Sequence, residues 1–293
     1  MTAKTVAVTL TGPRLDGYEF PGPAAAAAAV CALTGTQAPV TLRARPGRRP
    51  LGSQAGQRVW VSWSHTRQGV AAAASTRPVG VDCEQCRPLR TVDGIHARLN
   101  TAGLAGVSTA CSVVQRWCVL EAALKSLGTG FALSLERIRL TADGLHVDGA
   151  GTGLRQTTVP VDAADGRYHA SVVHHGHDVR WMNLSSLNGN PPFHIVRAHP
   201  GSASSSKEEH VSTVIDKEEL RTIIADTIDQ DVEEVTDTAS FVGDLEVDSL
   251  MALELVIVLE RKYGVKFKEE MLPQVTSLQA AHELLSNEMA KTA

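Results

Sequence analysis

Residues 183–212, "NLSSLNGNPPFHIVRAHPGSASSSKEEHVS", divide this chain. They are rich in Ser, Asn, Gly and Pro and follow neither the helical nor the strand period, so they read as a linker. No single core is expected to cross such a stretch. The 293-residue chain is therefore expected as two domains, 1–182 and 213–293, each long enough to bury a core of its own. A flexible linker of about 30 residues has a root-mean-square span of roughly 30 Å. That reach would let one domain meet the other in its own chain or in a neighbour.

Charge follows the same division. Residues 1–200 hold 20 Lys+Arg against 12 Asp+Glu, and residues 201–293 hold 8 against 20. A basic domain tied to an acidic one attracts it. Nothing in the basic half has the ligand spacing of a zinc finger or an aromatic-interleaved basic patch, so no nucleic-acid partner is expected. The apolar run "PAAAAAAVCAL" (23–33) is inland and too short for a membrane span. It reads as a helix with Pro23 in its first turn and Gly35 beyond its end. No membrane partner and a cytoplasmic location are the expectation. The five cysteines (Cys31, Cys83, Cys86, Cys111, Cys118), an odd number without secretory context, are expected as free thiols.

The stretch "GDLEVDSLMALELVIVLERKYG" (243–264) is more apolar than a one-sided surface helix needs. Ala252, Leu255, Val256, Leu259 and Tyr263 make one helical stripe, which suffices to dock on a small core. Leu250, Leu253 and Ile257 make a second stripe flanked by Glu254 and Glu260. A second stripe is either buried on another side or kept for a partner, and the flanking acids favour the partner. Ser249, preceded by Asp248, stands at the helix start, where backbone N–H groups and the helix dipole favour a phosphate. Further helices are expected at about 216–229 and from Ser277.

This segment resembles acyl carrier proteins, through Asp248-Ser249-Leu250, Glu254-Leu255-Val256, Leu259-Glu260 and Tyr263-Gly264, with "DTASFVGDLEVDSL" leading in. The resemblance implies a small four-helix bundle over 213–293. It implies that Ser249 carries a 4′-phosphopantetheine arm whose thiol holds acyl groups, and that Leu250, Leu253 and Ile257 form the carrier's docking face. Acyl-transferring and condensing enzymes of a polyketide- or fatty-acid-type pathway would be its partners.

In the first domain, strands are expected at "RVWVSW" (58–63), "PVGVDC" (78–83), "LERIRL" (135–140), "GLHVD" (144–148) and "RYHASVVHH" (167–175), with helices at about 23–34 and 112–127. Short strands with few helices argue for an α+β fold. Asp82 and Glu84 stand two apart on a strand and so share a face, with Cys83 on the other. Two hard oxygen donors on one face suit Mg²⁺, although a solvated strand face has the same pattern. Cys83 and Cys86 form a lone C-x-x-C, insufficient for zinc. Glu121 and Lys125 stand at i and i+4, as in a surface ion pair or beside a metal–diphosphate site. The arginines of "RARPGRRP" (43–50) suit either a solvated loop or a phosphate-rich small molecule.

Taken in order, "WSHT", "VGVDCEQ" and "WCVLEAALKSLGTG" resemble the signatures of two-lobed, surfactin-synthetase-activating-type 4′-phosphopantetheinyl transferases. The resemblance implies two similar α+β lobes related by a pseudo-two-fold axis, with coenzyme A between them. It implies that Asp82, Glu84 and Glu121 hold Mg²⁺ on the diphosphate, and that His65 and Lys125 contact its phosphates with Arg48 or Arg49. Leu120 stands where that family has lysine, and "HARLNTAGLAGVSTACSVVQ" lacks the family's acid, which leaves Glu121 or a metal-bound water as base. The chain is thus expected to transfer phosphopantetheine from coenzyme A to the serine of its own or a neighbouring carrier domain. The other reading is a carrier joined to a transferase-like scaffold.

Overall fold

The computed structural model describes residues 5–11, 21–45, 48–66, 69–141, 143–163, 166–176, 178–183, 193–197 and 215–292. The chain divides into two compact units, Met1–Arg87 with Arg98–Pro200, and Pro88–Ala97 with Gly201–Ala293.

The first unit is α+β. Its larger sheet contains β1 (Thr5–Thr11), β2 (Val40–Arg45), β3 (Arg48–Gln54), β4 (Gln57–His65), β5 (Gly69–Ser75), β12 (Val179–Asn183) and β13 (Phe193–Arg197). The order is β12-β1-β5-β4-β3-β2-β13, with the outermost strand at each edge parallel to its neighbour and the rest antiparallel. A second sheet joins β10 (Leu154–Ala163), β11 (Gly166–His175) and β6 (Gly80–Gln85). A small third sheet holds β7 (Ile138–Thr141), β8 (Gly144–Val147) and β9 (Ala150–Gly151).

Burial sets the layering. The strand β5, "GVAAAAS", is buried along its whole length. Ala72 and Ala74 face helix α1 (Pro21–Thr34), while Ala71 and Ala73 pack with Val79, Val81 and Cys83 at β6 and with Ala170 and Val172 of β11. Alanine on both faces lets the helix and the second sheet approach the larger sheet closely. On the far side of the second sheet lies α3 (Ala110–Leu127). This helix starts at Thr109, whose Oγ1 accepts from Ser112 N, and stops at Gly128, whose φ of 70° suits a left-handed cap.

The joint between β6 and α3 depends on Gly80. A Cβ there would stand 2.0 Å from Ala122 O and 2.4 Å from Ser126 N, both backbone atoms that cannot move aside alone. This close approach brings α3 onto the face of β6 that carries Asp82 and Glu84.

The second unit contains the start of α2 (Val92–Thr101), α4 (Lys217–Ile228), α5 (Ser249–Tyr263), α6 (Leu278–Thr292) and a 3-10 segment, Glu269–Gln274. Leu220, Ile224, Phe241, Leu255, Leu259 and Leu285 form its core, each contributing about 1.5–3 kcal/mol by leaving water. A fourth α-helix was expected. Pro273 lies inside the six-residue segment, and its missing N–H and its ring oppose extension into one.

Several other expectations need correction. Residues 193–197, expected within a linker, pair with β2 as β13, so the first unit continues past residue 182. The remainder of the expected linker, 184–192 and 198–212, lies outside the described residues. The basic run at 43–50 belongs to β2 and β3 rather than to a loop alone. Residues 135–137 form a 3-10 turn before β7. Cys86 and Cys111, expected as free thiols, are joined as a disulfide with Cα atoms 5.1 Å apart, while Cys31, Cys83 and Cys118 are free and buried. No helix among the described residues is long and apolar enough to cross a membrane.

Gly80→Ala is expected to destabilise the first unit by about 3 kcal/mol or more, because the added methyl meets backbone on α3. Urea unfolding followed by tryptophan fluorescence measures this, and an unchanged midpoint would show that the two elements are not in this contact.

Candidate functional site

In the second unit the loop before Ser249 is pinned at several points. Asp216 caps α4, its Oδ1 accepting from Glu218 N and Glu219 N at 2.9 and 3.3 Å. Asp237 in the following loop accepts from Lys217 Nζ and Arg221 Nη2 at 2.5 and 2.8 Å. Farther along, Phe241 N donates to Thr276 O and Val247 N to Phe241 O. The chain then enters α5 through Asp248, whose Oδ1 accepts from Met251 N at 2.7 Å. Ser249, the first residue of that helix, is half-buried. It stands where the helix dipole favours an attached phosphate by about 0.3–1 kcal/mol.

The second apolar stripe of α5 differs from expectation. Leu250, Leu253 and Ile257 are buried rather than presented to solvent. The segment Pro88–Ala97 belongs to the same unit, and a Cβ on Gly94 would stand 2.6 Å from Ile257 Cγ2. Glu254, read as a flanking acid for partners, is buried and accepts from Arg90 N at 2.6 Å. The Arg90 guanidinium also reaches Asp226 Oδ2 at 3.0 Å. Glu260 too turns inward, accepting from Phe267 N at 2.9 Å and so holding the chain after Gly264.

In the first unit, Asp82, Glu84 and Glu121 are all buried. The alternation of β6 turns Asp82 and Glu84 toward α3, whereas Cys83 enters the core between the sheets. Lys125 Nζ lies 2.6 Å from Asp82 Oδ1, and Ser64 Oγ donates to the same oxygen at 2.7 Å. Burial pushes the Lys125 ammonium down, but Asp82 and Glu121 outweigh it and hold the group above its ordinary range. Burial, with Asp82 and Glu84 nearby, pushes the Cys83 thiol well up.

The carboxylates fit Mg²⁺ in donor chemistry. Asp82 Oδ2 is buried with no hydrogen-bond partner among the described residues, and a hard oxygen of this kind suits such a cation. The three do not converge tightly: among the described residues, the trio of His, Cys, Asp or Glu within 4.8 Å is Cys86, Cys111 and His169. Mg²⁺ tolerates this, since it usually takes one or two carboxylates and keeps several waters.

The remaining expected residues are dispersed. His65 ends β4 and is exposed. Arg49 donates to Leu127 O and lies 5.5 Å from the Trp60 ring centroid. It lines a cleft of about 590 Å³ with Arg43 and Arg58, a setting for an anion. Arg48 is on β3, but its side chain lies outside the described residues. Leu120 is buried, so a lysine in that place would have to be desolvated.

Three contributors escaped sequence reasoning. Ser64 lies inside "WSHT", directly before His65. Arg116 is buried and donates to Leu104 O and Val107 O at 2.8 and 2.9 Å, tying down the loop before α3. His169 stands directly across from Glu84 on β11, a relation that only strand register reveals.

Comparison with known proteins agrees with the geometry around Ser249. The family model described as "Phosphopantetheine attachment site" matches residues 218–284. The polyketide-8 synthase acyl carrier protein 2 of Streptomyces avermitilis is 51% identical over 84 residues, covering 29% of this chain and 97% of that protein. An acyl carrier protein of Petrotoga mobilis is 38% identical over 72 residues, 25% of this chain and 85% of that protein. A solved chain titled "The ishigamide ketosynthase/chain length factor" is 26% identical, covering 25% of this chain and 93% of that one. Its TM-score of 0.22 is too low to carry an argument. Through its C-terminal domain the chain belongs to the acyl carrier protein family.

The Lys125–Asp82 pair has a stability signature. A folded-state pKa raised above the ordinary 10.5 contributes stability that is present below that pH and is lost as pH rises through the folded value. Lys125→Met is expected to lower stability at about pH 7 by about 1–3 kcal/mol, less than for a fully buried pair because the Lys125 side chain is 31% exposed. The gap between wild type and variant in urea unfolding should narrow only above 10.5. Equal stability at neutral pH would show that the pair contributes nothing.

Proposed function

We propose that the chain joins a carrier protein to the enzyme that loads it. The first unit transfers 4′-phosphopantetheine from coenzyme A to Ser249, and the loaded carrier serves a polyketide- or fatty-acid-type pathway. The observation that carries this reading is the buried set of Asp82, Glu84 and Glu121 with Lys125, in a chain that also contains a carrier serine. Two sheets faced by one long helix each, α1 and α3, support the expected two-lobed, pseudo-two-fold transferase.

Asp82, Glu84 and Glu121 would hold Mg²⁺, which when bound polarises the diphosphate of coenzyme A. Glu121, or water that it orients, takes the proton of the Ser249 hydroxyl. The serine oxygen then attacks the β-phosphorus, and the bond to 3′,5′-ADP breaks. Lys125, held charged by its acidic neighbours, and His65 stabilise the negative charge on the leaving group. Arg43, Arg49 and Arg58 offer a second anion-binding surface for the cofactor's remaining phosphate. Acyl-transferring and condensing enzymes would act on the loaded carrier, as its likeness to a polyketide synthase carrier supports.

A second reading treats the first unit as an inactive scaffold, and Leu120 favours it. Intact mass after incubation of the apo chain with coenzyme A and Mg²⁺ separates the two. The expected result is a gain of one phosphopantetheine that is lost on chelation and in Ser249→Ala. Asp82→Ala should slow transfer by roughly 100-fold or more, since a misheld metal removes its charge stabilisation. An unmodified wild-type chain selects the scaffold reading, and labelling that persists in Ser249→Ala relocates the attachment site.

A further inference from the structure

A side-chain cluster beside the acidic set has no part in the function proposed above. Cys86 is the first residue beyond β6, Cys111 lies in the first turn of α3, and His169 faces Glu84 across the β6–β11 ladder. Each offers one ligand atom, and the three atoms lie within 4.8 Å of one another. His169 is only 9% exposed, and its Nδ1 is buried with no hydrogen-bond partner among the described residues. A buried imidazole nitrogen costs free energy unless something accepts or coordinates it. The two sulfurs, by contrast, are open to reagents: Cys111 is exposed and Cys86 half-buried.

We propose that Cys86, Cys111 and His169 form a redox-gated site for a thiophilic divalent cation, closed as a disulfide and binding Zn²⁺ when reduced. Opening takes two electrons from a thiol, which becomes a disulfide and gives up its protons, or from a phosphine, which becomes a phosphine oxide with water supplying the oxygen and both protons. Either way the S–S bond becomes two thiols. Zn²⁺ then takes both thiolate sulfurs and one imidazole nitrogen, releasing two protons to solvent, with water as the fourth ligand. Tetrahedral Zn–S and Zn–N bonds place such donors about 3.3–3.8 Å apart, within the span these three atoms occupy. Thiolate and imidazole donors select zinc over magnesium, so this site is chemically distinct from the oxygen set of Asp82, Glu84 and Glu121. Either closed form ties the end of β6 to the start of α3, the two elements that carry that oxygen set.

The test uses the full chain and Co²⁺ as a coloured stand-in for Zn²⁺. Wild-type protein is reduced with a phosphine, freed of reductant without air, and titrated with Co²⁺. A thiolate-to-cobalt charge-transfer band should saturate at one equivalent and vanish when Zn²⁺ is added. The same wild-type protein left oxidised should give no band, a comparison that no folding defect can confound. Cys111→Ser should remove the band, and His169→Ala should weaken Co²⁺ binding roughly tenfold or more. Reduced wild type without the band overturns the proposal. So does an equal band in the oxidised protein or an undiminished one in Cys111→Ser, because the buried cysteines would then be the source.

Discussion

The first unit depends on the close approach of α3 to the backbone of β6 at Gly80. Two elements that near one another exclude water between them, and the residues on their facing sides share one low-dielectric environment. Asp82 and Glu84 come from the strand, Glu121 and Lys125 from the helix. Charges buried in such a seam must be paired, hydrogen-bonded or ligated. Lys125 and Ser64 supply two partners for one oxygen of Asp82, and the other oxygen is buried with no hydrogen-bond partner among the described residues. A packing requirement thereby gathers three carboxylates and a lysine in one buried seam.

In the second unit a different constraint governs. A single serine has to stand at the start of α5, reachable and correctly oriented. That position is built by carboxylates: Asp216 and Asp248 cap helices, Asp237 anchors the loop between them, and Glu260 holds the chain beyond Gly264. The acidic character of residues 201–293 is therefore partly architectural. Glu254 and Glu260 were read from the sequence as the rim of a docking face, yet both are buried acceptors of backbone N–H groups. A glutamate beside an apolar stripe has the same spacing in either role, and only its partner tells them apart.

Long periodic segments were legible from sequence: α3 and α5 were placed within two residues of their observed bounds, and the carrier motif pointed to the helix start where Ser249 stands. The alternation at 80–85 correctly separated Asp82 and Glu84 from Cys83. The strand β5 was missed because a run of alanines has neither β-propensity nor a period of two. It is a strand because both of its faces are covered, by α1 and by the second sheet. The strand β13 was missed because five residues flanked by Pro and Gly read as linker, and its pairing partner, β2, lies about 150 residues earlier.

The sequence by itself determined that this chain has an α+β part and a helical carrier part, since both follow from local periodicity and from a motif contained in one short segment. It also named the carboxylates and the lysine, because their spacing is set by the period of the strand or helix that bears them. Only the tertiary structure decided what those residues meet. Lys125 on Asp82, Ser64 on the same oxygen, the covered stripe on α5, and the gathering of Cys86, Cys111 and His169 each join residues distant in sequence. Such pairings are set by how strands register and how layers stack, and the pattern of a single segment carries no record of the partner it will face.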